Sequence, residues 1–200
     1  MHPKGIMIEK QIMALNITEI DLNNKIIIWD NDGTITGSKN PNDKTSKAKV
    51  ILCGVSQKMA GAKFNFVISG FKSPESEAQN FDPKSVSGNF IKLMQELPIN
   101  AVAFSPTIGG VECFVVIKKN EKISIIKAHE NPKYSSYIGK FKKPDIGMFQ
   151  VISDIALVEF GIKIDASNSI MIGDTWHDKL AAESFGIPFL EAKFIHASPV

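Results

Sequence analysis

The chain has 200 residues, is 44% hydrophobic, and carries 23 basic against 21 acidic side chains for a net charge of +2. This suits a single globular domain with a sizeable core, and so mild a balance gives no argument of its own for a nucleic-acid or membrane surface. No apolar run approaches the roughly 18 residues of a transmembrane helix, and Cys53 and Cys113 alone make no disulfide framework, so a reduced, cytoplasmic setting is expected.

In chain order, residues 1–24 form a lead-in segment whose apolar stretch is broken by Glu9 and Lys10, a poor secretory signal. Residues 25–30 (KIIIWD) are a short β-branched apolar run ending in polar residues, the pattern of a buried strand. A polar, lysine-bearing surface loop follows over 37–49, with Lys39, Lys44, Lys47 and Lys49, and enters a helix expected over 46–61. Strands are expected at 63–69, 100–105, 168–172 and 187–190, with helices over 85–97, 144–160 and 178–185. Pro144 suits a first helical position, Gly161 and Gly186 suit helix ends, and Lys119–Asn120–Glu121 reads as the turn of a β-hairpin spanning 111–127. Alternating buried strands and helices predict a doubly wound, Rossmann-like α/β domain over 25–200: a mostly parallel sheet, helices on both faces and a small hairpin insertion.

Four polar groups fall at predicted strand ends or helix starts. Asp30-Asn31-Asp32-Gly33-Thr34 closes the first strand, where Asp30 could attack phosphorus and Asp32 could move the proton of the leaving oxygen. Gly33 allows a sharp turn with Asn31 and Gly33 amides near an anion. The same local sequence also suits an ordinary Asp-Gly turn. Ser69-Gly70 ends the second strand and could offer a hydroxyl and an N–H to phosphate, or be a simple turn. Lys143 precedes Pro144 at the expected start of a helix; an anion bound there would offset the unfavourable helix dipole, whereas a lone lysine in the run Lys140, Lys142, Lys143 would be solvated. Gly173-Asp174 and Asp178 follow the strand SIMI, where two carboxylates could face one hard cation or Asp178 could cap a helix. His177 fits a wall or surface residue better than a magnesium ligand.

The set IIIWDNDGT, Ser69, Lys143 and Gly173-Asp174…Asp178 resembles, in order and spacing over residues 25–190, the haloacid dehalogenase superfamily. The resemblance implies a phosphatase in which Asp30 is the nucleophile and Asp32 the acid/base. It implies that Asp30, the Asp32 backbone carbonyl and Asp174 bind Mg²⁺, with Asp178 supporting the metal shell. Asp32 argues for phosphatase over dehalogenase. In the absence of any arginine, Lys143 and the metal must compensate phosphate charge, with Asn31, Gly33, Ser69 and Gly70 binding the substrate.

Only 34 residues lie between Thr34 and Ser69 and 73 between Ser69 and Lys143, so no large cap domain is expected and the site should be open to a bulky phosphomonoester. The segment FSPTIGGVEC lacks the Cys/His zinc loop of histidinol and heptose bisphosphate phosphatases. KKPDIGMF and FGIPFLEAKFIH resemble the phosphatase domain of polynucleotide kinase-phosphatase, which implies a nucleic-acid 3′ end as partner. A phosphotransferase or mutase acting on a small metabolite, and a non-catalytic binding protein on the same fold, remain the alternatives.

Overall fold

A computed structural model of the chain describes residues 21–38, 49–70, 83–107 and 109–196. Its strands are β1 (Ile26–Asp30), β2 (Thr36–Ser38), β3 (Lys49–Ile51), β4 (Phe64–Gly70), β5 (Ala101–Ser105), β6 (Phe114–Lys119), β7 (Lys122–Lys127), β8 (Ser169–Gly173) and β9 (Phe189–Glu191). Its helices are α1 (Val55–Gly61), α2 (Pro83–Glu96), α3 (Gly147–Phe160), α4 (Trp176–Phe185) and α5 (Lys193–His196), with 3₁₀ turns at Ala128–Glu130 and Pro132–Tyr137.

Seven strands form one sheet in the order β7-β6-β5-β4-β1-β8-β9. β5, β4, β1, β8 and β9 are parallel, and β6 and β7 are antiparallel. All five residues of β1 are buried. Ile26 and Ile28 enter one core with α3 and with Ala181 and Ala182 of α4; Ile27 and Trp29 enter the other with Val55, Met59, Phe90, Met94 and Ile195. A strand apolar on both faces can sit only at the centre of such a sandwich, which explains the unbroken run IIIW.

The doubly wound α/β prediction holds. The chain moves outward from β1 through β4 to β5, then returns to the other side of β1 as β8. This reversal places the carboxyl ends of β1 and β8 side by side, the position where open α/β sheets bind ligands.

Several boundaries differ from expectation. The helix read over 46–61 begins at Val55, and Lys49–Ile51 pairs antiparallel with Thr36–Ser38 as a separate small ribbon. Gly54, at φ 79°, separates the two, and a Cβ there would lie 2.4 Å from the Ile195 carbonyl oxygen. The helix read from Pro144 begins at Gly147, because Lys142 O accepts from Asp145 N in a turn that precedes it. The hairpin of 111–127 starts at Phe114, and its turn is the two residues Asn120 and Glu121, both at positive φ, the geometry of a tight two-residue hairpin. β6 bonds to β5, so the hairpin extends the central sheet. Lys39, Lys44 and Lys47, and residues 1–20 of the lead-in segment, lie outside the described residues.

Candidate active site

Asp30 ends β1 and is 2% exposed. The chain then doubles back: Asn31 O accepts from Thr34 N, Ile35 N and Thr36 N at 3.3, 2.9 and 2.9 Å, and Gly33 N donates to Thr36 O at 2.7 Å. This turn needs Gly33 at φ 86°, and the glycine lies directly against Asp174, since a Cβ would stand 2.2 Å from Asp174 Oδ2. The two motifs, 141 positions apart by subtraction of their numbers, are therefore in contact. Asp32, half-buried on the turn, accepts a hydrogen bond from Asn31 Nδ2 at 3.2 Å.

Register positions the remaining groups. Asp30 stands opposite Ile68 on β4, so Ser69 and Gly70 follow at the same edge of the sheet as Asn31. Ser69 is nearly buried at 9% exposure. On the other side, β8 ends at Gly173, and Asp174 opens the loop into α4. A Cβ on Gly173 would meet Asp178 Cβ at 2.5 Å, so only glycine allows the first turn of α4 to fold back this closely.

Asp178 performs the capping role and a second one. Its Oδ2 accepts from Thr175 N at 2.9 Å and Thr175 Oγ1 at 2.5 Å, completing a capping box at the start of α4. Its Oδ1 takes the Lys143 ammonium at 2.5 Å. The same ammonium donates to Asp30 Oδ1.

Lys143 thus corrects its sequence-based rationale. It does not lead a helix, since α3 begins beyond it at Gly147, and it is buried at 7% exposure while Lys140 is exposed. Burial alone would lower its pKa, but Asp30 and Asp178 on either side hold it above the usual lysine value. Burial likewise works against the Asp178 carboxylate, yet Lys143 and the Thr175 donors hold it below the usual aspartate range.

Asp30, Asp174 and Asp178 each offer an oxygen such that all three lie within 4.8 Å of one another. Three carboxylates against the one Lys143 ammonium leave, when all are ionised, two net negative charges around one point. An all-oxygen donor set with that charge fits a hard divalent cation such as magnesium.

Two features lay beyond the sequence reading. His196, on the short helix α5, bonds through Nε2 to Thr34 O at 2.7 Å. Trp29, just before Asp30, donates from Nε1 to Asn65 Oδ1 at 2.9 Å, and Asn65 Nδ2 bonds Met59 O and Pro98 O at 2.9 and 3.1 Å. A lone histidine and a strand asparagine carry no local signal of such partners. Trp176 and His177, at the start of α4, stack with ring centroids 3.8 Å apart, and Trp176 is 62% exposed.

No protein-family model and no curated protein sequence matches the chain. Among solved structures it is similar to D,D-heptose 1,7-bisphosphate phosphatase from B. bronchiseptica, complexed with magnesium and phosphate. The TM-score is 0.51 and the identity 17%, over 82% of this chain and 78% of that one. At that identity the likeness establishes a shared fold: a mostly parallel sheet covered on both faces, with an antiparallel hairpin at its edge.

Proposed function

We propose that this chain is a magnesium-dependent phosphomonoesterase of the haloacid dehalogenase type. One observation carries the reading: Asp30, Asp174 and Asp178 bring carboxylate oxygens within 4.8 Å of one another, with the Lys143 ammonium on Asp30 and Asp178, at the topological switch point of the sheet. The fold shared with a phosphatase complexed with magnesium and phosphate supports it.

In this reading Asp30 attacks phosphorus, forming an aspartyl-phosphate as the ester P–O bond breaks. Asp32 gives its proton to the leaving oxygen, then takes one from the water that cleaves the aspartyl-phosphate. Asp30 and Asp174 would hold the cation, with the Asp32 carbonyl as a further oxygen, and it would supply Lewis-acid charge compensation at the phosphate oxygens. Asp178 sets the position of Lys143 and adds its charge beside the cation. Lys143, Ser69 and the Asn31 and Gly70 amides hold phosphate oxygens, which is where phosphoryl-transfer catalysts do most of their work. The Gly33 amide, expected from the sequence to join them, instead donates to Thr36 O within the turn.

For the substrate we favour a bulky phosphomonoester that reaches the site from outside, such as a polynucleotide 3′-phosphate. The exposed Trp176 plane, two positions from Asp174 and stacked on His177, supports this, because a base can stack on such a surface. Purified protein should release phosphate from p-nitrophenyl phosphate only with magnesium, and should prefer 3′-phosphorylated oligonucleotides over a panel of sugar and bisphosphate metabolites. Preference for a small metabolite would overturn the substrate assignment. Transfer to an added alcohol in preference to water would replace the phosphatase by a phosphotransferase. Absence of magnesium-dependent hydrolysis of every compound would leave a binding protein.

A further inference from the structure

We infer that residues 192–196 form a brace across the two acid-bearing turns, and that His196 is a positioning residue for the Asp30–Thr34 turn. The inference rests on the proposed reaction for its kinetic arm and on the geometry alone for the rest.

The segment touches both halves of the site. Ala192 N donates to Gly173 O at 2.8 Å, immediately before Asp174. One turn later His196 Nε2 bonds Thr34 O at 2.7 Å. A carbonyl oxygen only accepts, so Nε2 must carry the hydrogen, which assigns the ring tautomer. Thr34 is fully buried, so water does not offer its carbonyl an equivalent donor.

The brace is itself fixed. Ile195 N and His196 N both return to Ala192 O, at 2.9 and 3.1 Å, closing the turn. Ala192 and Ile195 are buried in the core that contains Trp29, and the Ile195 carbonyl abuts Gly54 so closely that a Cβ there would lie 2.4 Å away. A segment anchored on Gly173 and on the core can therefore hold Thr34 at a set distance from β8. The hydrogen bonds inside the turn tie residues 33–36 to Asn31 and to one another. The His196 bond ties that closed unit to the Asp174 side of the site. Without it the turn keeps its shape but gains freedom to tilt relative to Asp174, against which Gly33 packs.

The test uses the full chain with His196→Ala, His196→Asn and His196→Gln. Glutamine carries its amide N–H at the reach of Nε2, and asparagine carries it at the reach of Nδ1. Three readouts are taken: ring-nitrogen NMR of His196, amide hydrogen exchange of residues 31–36, and kcat and KM for p-nitrophenyl phosphate at saturating magnesium. The expected wild-type signal is the Nε2–H tautomer. Alanine and asparagine should speed exchange over 31–36 about tenfold while α2 and α3 stay unchanged. They should lower kcat about tenfold with KM within about twofold, the signature of a misplaced group. Glutamine should return both to within about threefold of wild type. An Nδ1–H tautomer, unchanged exchange in the alanine variant, or glutamine no better than asparagine would each overturn the brace. So would a uniform rise in exchange across the core, which marks a merely structural role. A wild-type protein that hydrolyses nothing would refute the phosphatase reading, and the tautomer and exchange arms would still decide the brace.

Discussion

Lys143 was recognisable in the sequence as a candidate, but for a reason that the structure replaces. A lysine before a proline looked like the entrance to a helix; what sets its role is burial between Asp30 and Asp178. Substituting Lys143 with methionine keeps the stem and removes the charge. The expected result is a loss of roughly 100-fold or more in kcat/KM, the scale of removing one preorganised donor. Asp30→Asn should abolish turnover, and wild-type-like phosphate release by that variant would remove Asp30 as nucleophile. Gly33→Ala tests the contact between motifs. Its Cβ would collide with Asp174 Oδ2, and its φ of 86° costs a non-glycine residue about 1–3 kcal/mol. Magnesium affinity by calorimetry should fall together with the unfolding free energy, whereas unchanged affinity would mean that Asp174 does not hold the cation. Asp178 shows why two sequence readings can both be correct: one oxygen caps α4 and the other holds Lys143.

At the scale of elements, the central strands were readable because each is buried on both faces, so IIIW and FVI show unbroken apolar runs, while the buried Asn65 in the second strand is tolerated because Trp29, Met59 O and Pro98 O satisfy it. The ribbon of β2 and β3 was not. Val50, Ile51, Val55 and Met59 recur at a spacing close to a helical turn, and only Gly54 marks the break that makes the first two residues a strand. The start of α3 was misplaced for a related reason, since Pro144 is compatible with a first helical turn or with a turn before it. The short helix α5 has four residues and no periodic signature, so neither its place beside Thr34 nor the role of His196 could be read from the sequence. The capping box offers a direct check on the α4 assignment. Thr175→Ala should lower the urea unfolding free energy by about 1 kcal/mol, and a change indistinguishable from zero would contradict the cap.

Across the whole molecule, two thiols report on the packing. Cys53 is exposed, while Cys113 lies in the core with its pKa pushed up to about 12 by burial. One thiol per chain should react with a disulfide reagent in native buffer and the second only on unfolding; two fast thiols would contradict the edge packing of β6. The buried Lys143–Asp178 pair gives stability a pH signature in EDTA. Asp178 titrates below its ordinary value, so its contribution is complete above about pH 4 and fades as pH falls through the lowered value. Lys143 titrates above its ordinary value, so its contribution is complete below about pH 10 and fades as pH rises through the raised value. Urea midpoints should show both limbs in wild type and a smaller alkaline limb in the Lys143→Met variant, and an alkaline limb of unchanged size would contradict the pairing.

The proposed reaction places a phosphoryl group on Asp30, whose carboxylate meets Asp174 and Asp178 from a distant stretch of chain, and this can be observed directly. Wild-type protein mixed with substrate and magnesium is quenched in acid within a turnover, digested, and the peptide containing Asp30 is weighed. The proposed reaction predicts a peptide heavier by one phosphoryl group, acid-stable but lost at alkaline pH, and absent in Asp30→Asn or without magnesium. Steady phosphate release with that peptide unmodified at every quench time, or with the group on another residue, would contradict it.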